Sequence, residues 1–358
     1  MTRGVPRKTI LVIGATGFLG PALVEEFVLA GYRVVCGVRN LRKAARELPF
    51  SHVEFLQVDL NRDITPRVWL ERLQRYAING VVNNVGIANS FGGQSLENVN
   101  TRAPLALFQA IQLFCRENQR IGSTPTSARV IQISTTGVDW PDCDRYDYPR
   151  TKRMTDEALA AMDSLDWVIV RPNIIYEPER GHLILEQIAR MPIIFYIGNA
   201  RIQPIHCREL AVGIVRLMEA SPCNRTILRA TGPDVLTWKE IFQQSRQALG
   251  RREAVYVRVP LQVAQLFTML IQQLPDHILY RLGILAKMDP DTMFMMTRGS
   301  TGSNHEWCRA TEVVPVHLYH AYQAYGKGRQ AHQAFLETIR QARLSSLPAR
   351  LHRARKDP

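Results

Sequence analysis

The sequence predicts an α/β protein built on a doubly wound parallel sheet, with a smaller, mostly helical domain toward the C-terminus. Three observations carry this. Apolar and β-branched runs alternate with helix-patterned stretches through the first half of the chain, at Thr9–Ile13, Tyr32–Val38, Val53–Leu60, Gly80–Val85 and Val130–Ile133. Parallel strands joined by crossover helices require that order. The first run leads directly into Gly14-Ala15-Thr16-Gly17-Phe18-Leu19-Gly20 and then the helical pattern Leu23, Phe27, Val28, which reads as strand, glycine turn and helix. Finally, 358 residues, 46% hydrophobic and 22% charged, suffice for about two domains at roughly 150 residues each. That composition excludes wholesale disorder, a collagen-like repeat and a disulfide-stapled miniprotein.

Each glycine of the turn has a separate role. Gly14 lets the chain turn sharply, Gly17 lets backbone approach a pyrophosphate, and Gly20 lets the helix pack close to the strand. The helix N-terminus adds free N–H groups and a partial positive charge. With Thr16, Phe18 and Leu19 between them, these residues form the phosphate side of an expected dinucleotide site. Such sites usually place an acidic residue at the end of the second strand to hold a ribose hydroxyl, but Arg39 stands there, with Arg42 and Lys43 close behind. A guanidinium fork suits a phosphate better than a hydroxyl, so NADP(H) is the expected cofactor and NAD(H) the alternative. Asp59-Leu60 ends the third run and Asn84-Val85-Gly86 follows the fourth, both at the sheet edge where open α/β sheets bind ligands. Asp59 would accept from the adenine amino group, and the Gly86 turn would lie against a ribose.

Val130–Ile133 delivers Ser134 to the same edge. After a polar loop, Tyr148-Pro149-Arg150-Thr151-Lys152 enters a helix predicted to run through Ala161, with Pro149 suited to its first turn. Tyr148 and Lys152 are four apart and share a helix face. A phenol titrates near about 10, and a neighbouring ammonium is expected to draw it toward neutral pH. Lys152 would also hold the nicotinamide ribose, while Ser134 would donate a hydrogen bond to a substrate oxygen that gains charge. Arg171-Pro172-Asn173 ends a sixth run, Trp167–Val170, and is expected beside the nicotinamide.

Together these motifs resemble the short-chain dehydrogenase/reductase superfamily of the extended or atypical type, from Thr9 to about Met218. Asn100, in Glu-Asn-Val-Asn-Thr-Arg-Ala-Pro, matches the superfamily's asparagine on the helix after the fourth strand. Val-Val-Asn-Asn-Val-Gly-Ile, Ile-Gln-Ile-Ser, Tyr-Pro-Arg-Thr-Lys-Arg, Leu-Asp-Trp-Val-Ile-Val-Arg-Pro and Gln-Pro-Ile-His-Cys-Arg-Glu-Leu-Ala resemble the group related to the nucleotide-binding accessory subunit of respiratory complex I. The resemblance implies a Rossmann-type domain that binds NAD(P)H, a small C-terminal domain over the cleft, and Ser134, Tyr148, Lys152 and Asn100 as the catalytic set. Two features depart from the group: Glu177 stands where it usually has Gly, and no DoxX-like membrane segment is recognised.

On this reading residues 1–175 form the dinucleotide domain, joined by a returning segment at about 200–235, residues 176–325 a substrate cap that is largely helical after 237, and residues 326–358 a basic tail. His206, ahead of a helix at Glu209–Glu219, reads as a packing or capping residue, a catalytic role being the alternative. Thr237 lies three residues before Glu240, a capping box for a helix to Leu249, with Trp238 in the core. Pro260–Met288 is rich in Leu, Ile, Met and Gln and reads as two helices around Pro275, with Met293, Phe294, Met295 and Met296 after them. It is either a cap packed on the cleft or a greasy surface for a lipid-like substrate, a partner subunit or a membrane interface. After Pro315 come Lys327, Arg329, Arg340, Arg343, Arg350, Arg353, Arg355 and Lys356, with a modest apolar stripe at Ala334, Phe335, Ile339 and Leu344. One helix in a largely solvated tail is predicted, which an anionic membrane surface could hold.

Cys36, Cys115, Cys143, Cys207, Cys223 and Cys308 are scattered, without a C-x-x-C pair or ligand-like histidine spacing, and read as reduced thiols with no metal site. Met-Thr-Arg-Gly-Val-Pro-Arg-Lys leads straight into an apolar run far too short for a signal-peptide core. Val259–Leu274, interrupted by Gln262, Gln265, Gln272 and Gln273, is shorter than the roughly 20 residues of a bilayer span. A cytoplasmic protein is expected, with peripheral contact to the inner face of a membrane as an extension. The excess of 45 Lys+Arg over 32 Asp+Glu, +13, fits nucleic acid, an anionic surface or phosphate-bearing ligands; without zinc spacing, a helix-turn-helix signature or a basic-aromatic RNA motif, nucleic acid is not an expected partner. The expected function is an NADP(H)-dependent oxidoreductase interconverting a carbonyl and an alcohol on a small-molecule substrate. The alternatives are a dinucleotide-binding scaffold or assembly protein of a membrane complex, and a sugar-nucleotide epimerase or dehydratase.

Overall fold

The computed structural model describes residues 8–88, 93–123, 127–179, 189, 191–220, 225–272 and 294–342. Its centre is a seven-stranded sheet. In chain order the strands are β1 (Thr9–Ile13), β2 (Arg33–Val38), β3 (Val53–Gln57), β4 (Gly80–Asn83), β5 (Arg129–Ile133), β6 (Trp167–Pro172) and β10 (Thr226–Ala230). They lie in the order β10-β6-β5-β4-β1-β2-β3, and every neighbouring pair is parallel. The order reverses between β1 and β4, which opens a ligand crevice at their carboxyl ends. All six runs expected as strands are in this sheet; the seventh strand, β10, was not foreseen as one. Two short ribbons complete the β structure: β7 (Ile175–Tyr176) with β9 (Ile205–His206), and β8 (Ile193–Ile197) with β11 (Val255–Val259).

Period-two alternation explains why the strands read as unbroken apolar runs. Ile10, Val12, Ile131, Ile133, Val168 and Val170 belong to one core cluster, whereas Leu11, Ile13, Val130, Trp167 and Ile169 belong to another. Both faces of the sheet are covered, as in parallel sheets generally. The first cluster includes α1 (Gly20–Leu29) and α6 (Cys207–Glu219); the second includes α3 (Pro66–Tyr76), α4 (Ala103–Ile121) and α5 (Asp147–Ala160). Between them in sequence, α2 (Leu41–Glu47) follows β2. A third cluster, with Tyr176, Ile194, Trp238, Ile241, Phe242, Leu318 and Tyr322, is the core of the smaller unit. The Thr237–Glu240 capping box opens α7 (Trp238–Ala248) as the sequence suggests.

The C-terminal region differs from the expected solvated tail. After α8 (Leu261–Gln272) and α9 (His305–Thr311), two helices follow Pro315, α10 (Leu318–Gly326) and α11 (Arg329–Gln341). Helix α11 buries His332, Leu336 and Ile339. Arg340 then reaches Glu25 at 2.8 Å and Glu26 at 2.9 Å, and Arg208 of α6 meets the same carboxylates at 2.9 and 2.6 Å. This four-charge cluster ties α11 to α1 and α6, so the apolar stripe wins over the polar composition that suggested a free tail. The first helix expected before Pro275 is α8; the second, Met293, Arg343, Leu344 and the arginines beyond lie outside the described residues, as does Cys223. Cys36, Cys115, Cys143, Cys207 and Cys308 are free and buried.

Helix α6 crosses Trp307 with no room for a side chain at Gly213, where a Cβ would lie 2.3 Å from the indole. Gly213→Ala is expected to lower stability by about 1–3 kcal/mol through overpacking, read as a lower denaturation midpoint at unchanged slope. An unchanged midpoint would show that the Trp307 indole yields to a methyl group at no cost.

Candidate active site

The glycine turn is built as a phosphate cradle. Gly14 sits at φ +79°, and a Cβ there would lie 2.8 Å from the Asn84 carbonyl oxygen; one on Gly20 would lie 2.3 Å from that of Ala15. Only glycine therefore lets β1, the turn and α1 pack this closely. The Gly17 N–H donates to the Gly14 carbonyl at 3.0 Å, and α1 starts at Gly20 without a side-chain cap, leaving its first N–H groups for an anion. Thr16, Gly17 and Phe18 line the turn at least partly exposed, while Leu19 is buried beneath it. These features fit a dinucleotide pyrophosphate.

Beyond β2, Arg39 and Arg42 are exposed and have no carboxylate partner among the described residues. Lys43 lies 3.7 Å from Glu47, and Asn40 caps α2 by accepting from the Lys43 N–H. Asp59 accepts from the Asn61 N–H at 3.1 Å and lies 3.5 Å from Arg62, so part of its carboxylate is engaged in the local turn. Leu60 and Val85 pack against the second core cluster, and the Asn84 side chain donates to the Gly14 carbonyl at 3.3 Å.

Tyr148 and Lys152 converge on Gly86. A Cβ on Gly86 would lie 3.5 Å from the Tyr148 hydroxyl and 3.8 Å from Lys152 Nζ. The ammonium, almost fully buried, donates to the carbonyls of Val85 at 2.9 Å and Ile133 at 2.5 Å. Burial lowers its pKa to about 8, partly offset by the charge of Asp156. Burial also pushes the Tyr148 phenol up to about 12, and Asp156 adds to that shift. The expected pull of the ammonium toward a neutral phenol pKa is thus outweighed by desolvation and a nearby carboxylate.

Ser134 is 3% exposed and donates to Asp156 Oδ2 at 2.8 Å. Arg171 Nε donates to that same oxygen at 3.0 Å, and its other arm reaches Asp139 at 2.8 Å. Arg171 is therefore held by two carboxylates. Burial raises the Asp156 pKa, with Arg171 opposing it. The next hydroxyl is arranged differently: Thr135 is partly exposed, and its Oγ1 accepts from the Gly137 N–H at 3.2 Å, which leaves its own proton available. Asn100 is fully buried; it accepts from the Ile87 N–H at 2.9 Å and donates to the Ile87 carbonyl at 3.0 Å and to Thr151 Oγ1 at 3.1 Å. It fastens the Gly86 loop to α5. Asn173, beside buried Pro172, donates to the Ser300 carbonyl at 2.7 Å and accepts from the N–H groups of Ile174 and Gln203.

Asp156, Asp139 and Thr135 were not singled out from the sequence. Asp156 had a usable signal, since it lies four residues after Lys152 and eight after Tyr148 on one helix face. His206 caps α6 through Nδ1, which accepts from the Arg208 N–H at 3.2 Å, and burial lowers its pKa to about 3. Glu177, the residue in place of the usual glycine, is buried 3.5 Å from His206 Nε2.

A family model described as the NAD dependent epimerase/dehydratase family matches residues 10–228. The chain belongs to that family. This epimerase/dehydratase-family protein is accordingly an NAD(P)-dependent oxidoreductase with a nicotinamide dinucleotide as cofactor. It is 27% identical over 259 residues to a ceramide reductase of Caulobacter vibrioides, covering 71% of this chain and 74% of the relative. It is 24% identical to the mitochondrial NADH dehydrogenase [ubiquinone] 1 alpha subcomplex subunit 9 of Dictyostelium discoideum, covering 64% of this chain but only 61% of that relative. Among solved structures, the fold resembles a human epimerase family protein with NADPH at 17% identity, TM-score 0.62, covering 90% of this chain and all of the other. It also resembles a UDP-glucuronic acid 4-epimerase from Bacillus cereus at 16% identity, TM-score 0.60, with 92% and 99% covered. Among the described residues, no helix is long and apolar enough to cross a membrane, and no cluster of His, Cys, Asp and Glu could hold a metal.

Proposed function

We propose that this family member is a reductase that prefers NADP(H) and interconverts a carbonyl and an alcohol. The convergence of the Tyr148 hydroxyl and Lys152 Nζ on Gly86, at the edge of the crevice, carries the reading. The Gly14–Gly20 turn and the first N–H groups of α1 would hold the pyrophosphate. When bound, the reduced dinucleotide supplies the hydride. Tyr148, kept protonated by its burial, supplies the proton to the carbonyl oxygen. Lys152, held by the Val85 and Ile133 carbonyls, places a positive charge beside that oxygen as it becomes negative. Thr135, with its proton free, is the hydroxyl we assign to orient the carbonyl; Ser134 positions Asp156, and Asn100 positions the Gly86 loop.

A lipid-like carbonyl substrate is favoured by two observations. The ceramide reductase is among the relatives, and two residues before Tyr148 in the sequence the ring of Tyr146 stacks on Phe294 with centroids 5.3 Å apart, Trp140 standing edge-on to it at 6.2 Å. The test is consumption of NADPH by the purified protein with a panel of aldehydes and ketones that includes long-chain ketones. Turnover is expected; complete inertness across the panel would overturn the reductase reading.

The cofactor preference rests on Arg39 and Arg42, both exposed and without a carboxylate partner among the described residues. Charge-assisted hydrogen bonds contribute about 1.5–3 kcal/mol. Arg39→Asp should therefore lower the ratio of kcat/KM for NADPH over NADH by roughly 10- to 100-fold. An unchanged ratio would return Arg39 to an ordinary surface charge.

A further inference from the structure

Helix α8 wears its apolar stripe on the outside. Val263, Leu266, Phe267 and Leu270 stand at i, i+3, i+4 and i+7, the spacing of one helix face. They are 55%, 59%, 60% and 57% exposed, whereas small Ala264 is the residue turned inward. Met269 is exposed as well. The element just before α8 repeats the pattern: Val255 and Val257 of β11 pair with Ile193 and Phe195 of β8, and all four are exposed while Ile194 is buried. An ordinary surface helix buries such a stripe, and scattered exposed leucines would not fall on one face.

We infer that this face docks on the surface of an anionic lipid bilayer. Helix α8 carries no charged residue, and from Ala254 to Pro275 the only charge is Arg258. The helix can therefore enter the headgroup boundary without desolvating an ion. Arg251, Arg252 and Arg258 are exposed next to these elements, against the exposed carboxylate of Glu253, and the whole chain carries a charge of +13. Cations flanking an uncharged apolar face are what an anionic interface attracts. A lone apolar row also gives a protein partner little polar specificity, since protein interfaces combine apolar anchors with paired polar groups at the rim. The docking stands apart from the proposed reductase activity, because the binding assay reads no turnover.

The test is flotation of the full chain with vesicles of phosphatidylcholine containing phosphatidylglycerol, against pure phosphatidylcholine. Binding to the anionic vesicles is expected, weakened by salt and at least tenfold weaker without phosphatidylglycerol. The double substitution Leu266→Ser with Phe267→Ser should cut binding by tenfold or more, since each side chain removed from the apolar boundary is worth about a tenfold factor. Its NADPH affinity, thermal midpoint and native mass should not change. Absence of wild-type flotation, or equal flotation of the variant, would overturn the inference, the latter by assigning the binding to charge elsewhere. A lowered midpoint in the variant would mean that the chain itself covers the stripe, and a reduced native mass that a second copy does; either also overturns it. Phe267→Trp gives an independent reading: its emission should shift to the blue with anionic vesicles, and an unchanged spectrum counts against docking.

Discussion

Tyr148→Phe should reduce turnover by about 10²–10⁴-fold, the range a single positioned acid supplies, while dinucleotide affinity stays within a factor of two or so. The substitution removes one oxygen from a ring that remains packed, and the phosphate cradle lies on other elements. If the variant kept its rate, the proton would have to come from elsewhere and the assignment would fail. The pH dependence has a defined sign. With the phenol held up to about 12, the acid form of Tyr148 is present throughout the neutral range and does not limit reduction. Lys152, lowered to about 8, loses its charge as pH rises through that value, so the reduction rate should fall there. Because Asp156 holds the Lys152 pKa up against burial, Asp156→Asn should move that fall to lower pH. A profile unmoved by Asp156→Asn would show that Lys152 does not set it.

How much of this was legible in the sequence depends on the range of the interactions involved. The six foreseen strands and the glycine turn follow from local rules: period-two burial on both faces, and a turn only glycine can make. Tyr148 and Lys152 were visible because a four-residue helical spacing guarantees a shared face. Residues defined by contacts across the fold were not visible. Ser134 was assigned from its position at a strand end, but its proton goes to Asp156, 22 residues on. Arg340 looked like tail charge because Glu25 and Glu26, which hold it, are more than 300 residues away. The segment before Pro275 was legible as an apolar-rich helix, but which of its residues face outward is a property of the packed structure. The raised phenol pKa was missed for a related reason, since burial, with the Asp156 carboxylate adding to it, outweighs the neighbouring ammonium.

The two adjacent hydroxyls after β5 should separate cleanly. Thr135→Val keeps the side-chain shape, removes the free hydroxyl proton and should lower kcat by about 10²–10³-fold, as loss of an oxyanion donor does, with little effect on the thermal midpoint. Ser134→Ala should show the reverse. It deprives Asp156 of a hydrogen bond in a buried site, at about 1–3 kcal/mol, and lowers the midpoint while kcat falls by less than about tenfold. The reasoning turns on where each proton is committed. Asp156 accepts from both Ser134 and Arg171 through the same oxygen, and the guanidinium favours the ionised, accepting form, so the Ser134 hydroxyl cannot at once donate to a substrate. Thr135 accepts from Gly137, which polarises its hydroxyl and leaves the donor function open. Should Ser134→Ala instead abolish turnover in a fully stable protein while Thr135→Val has no effect, Asp156 would have to be protonated and donating. Ser134 would then be the group that meets the substrate oxygen, with Asp156 behind it as the source of its orientation.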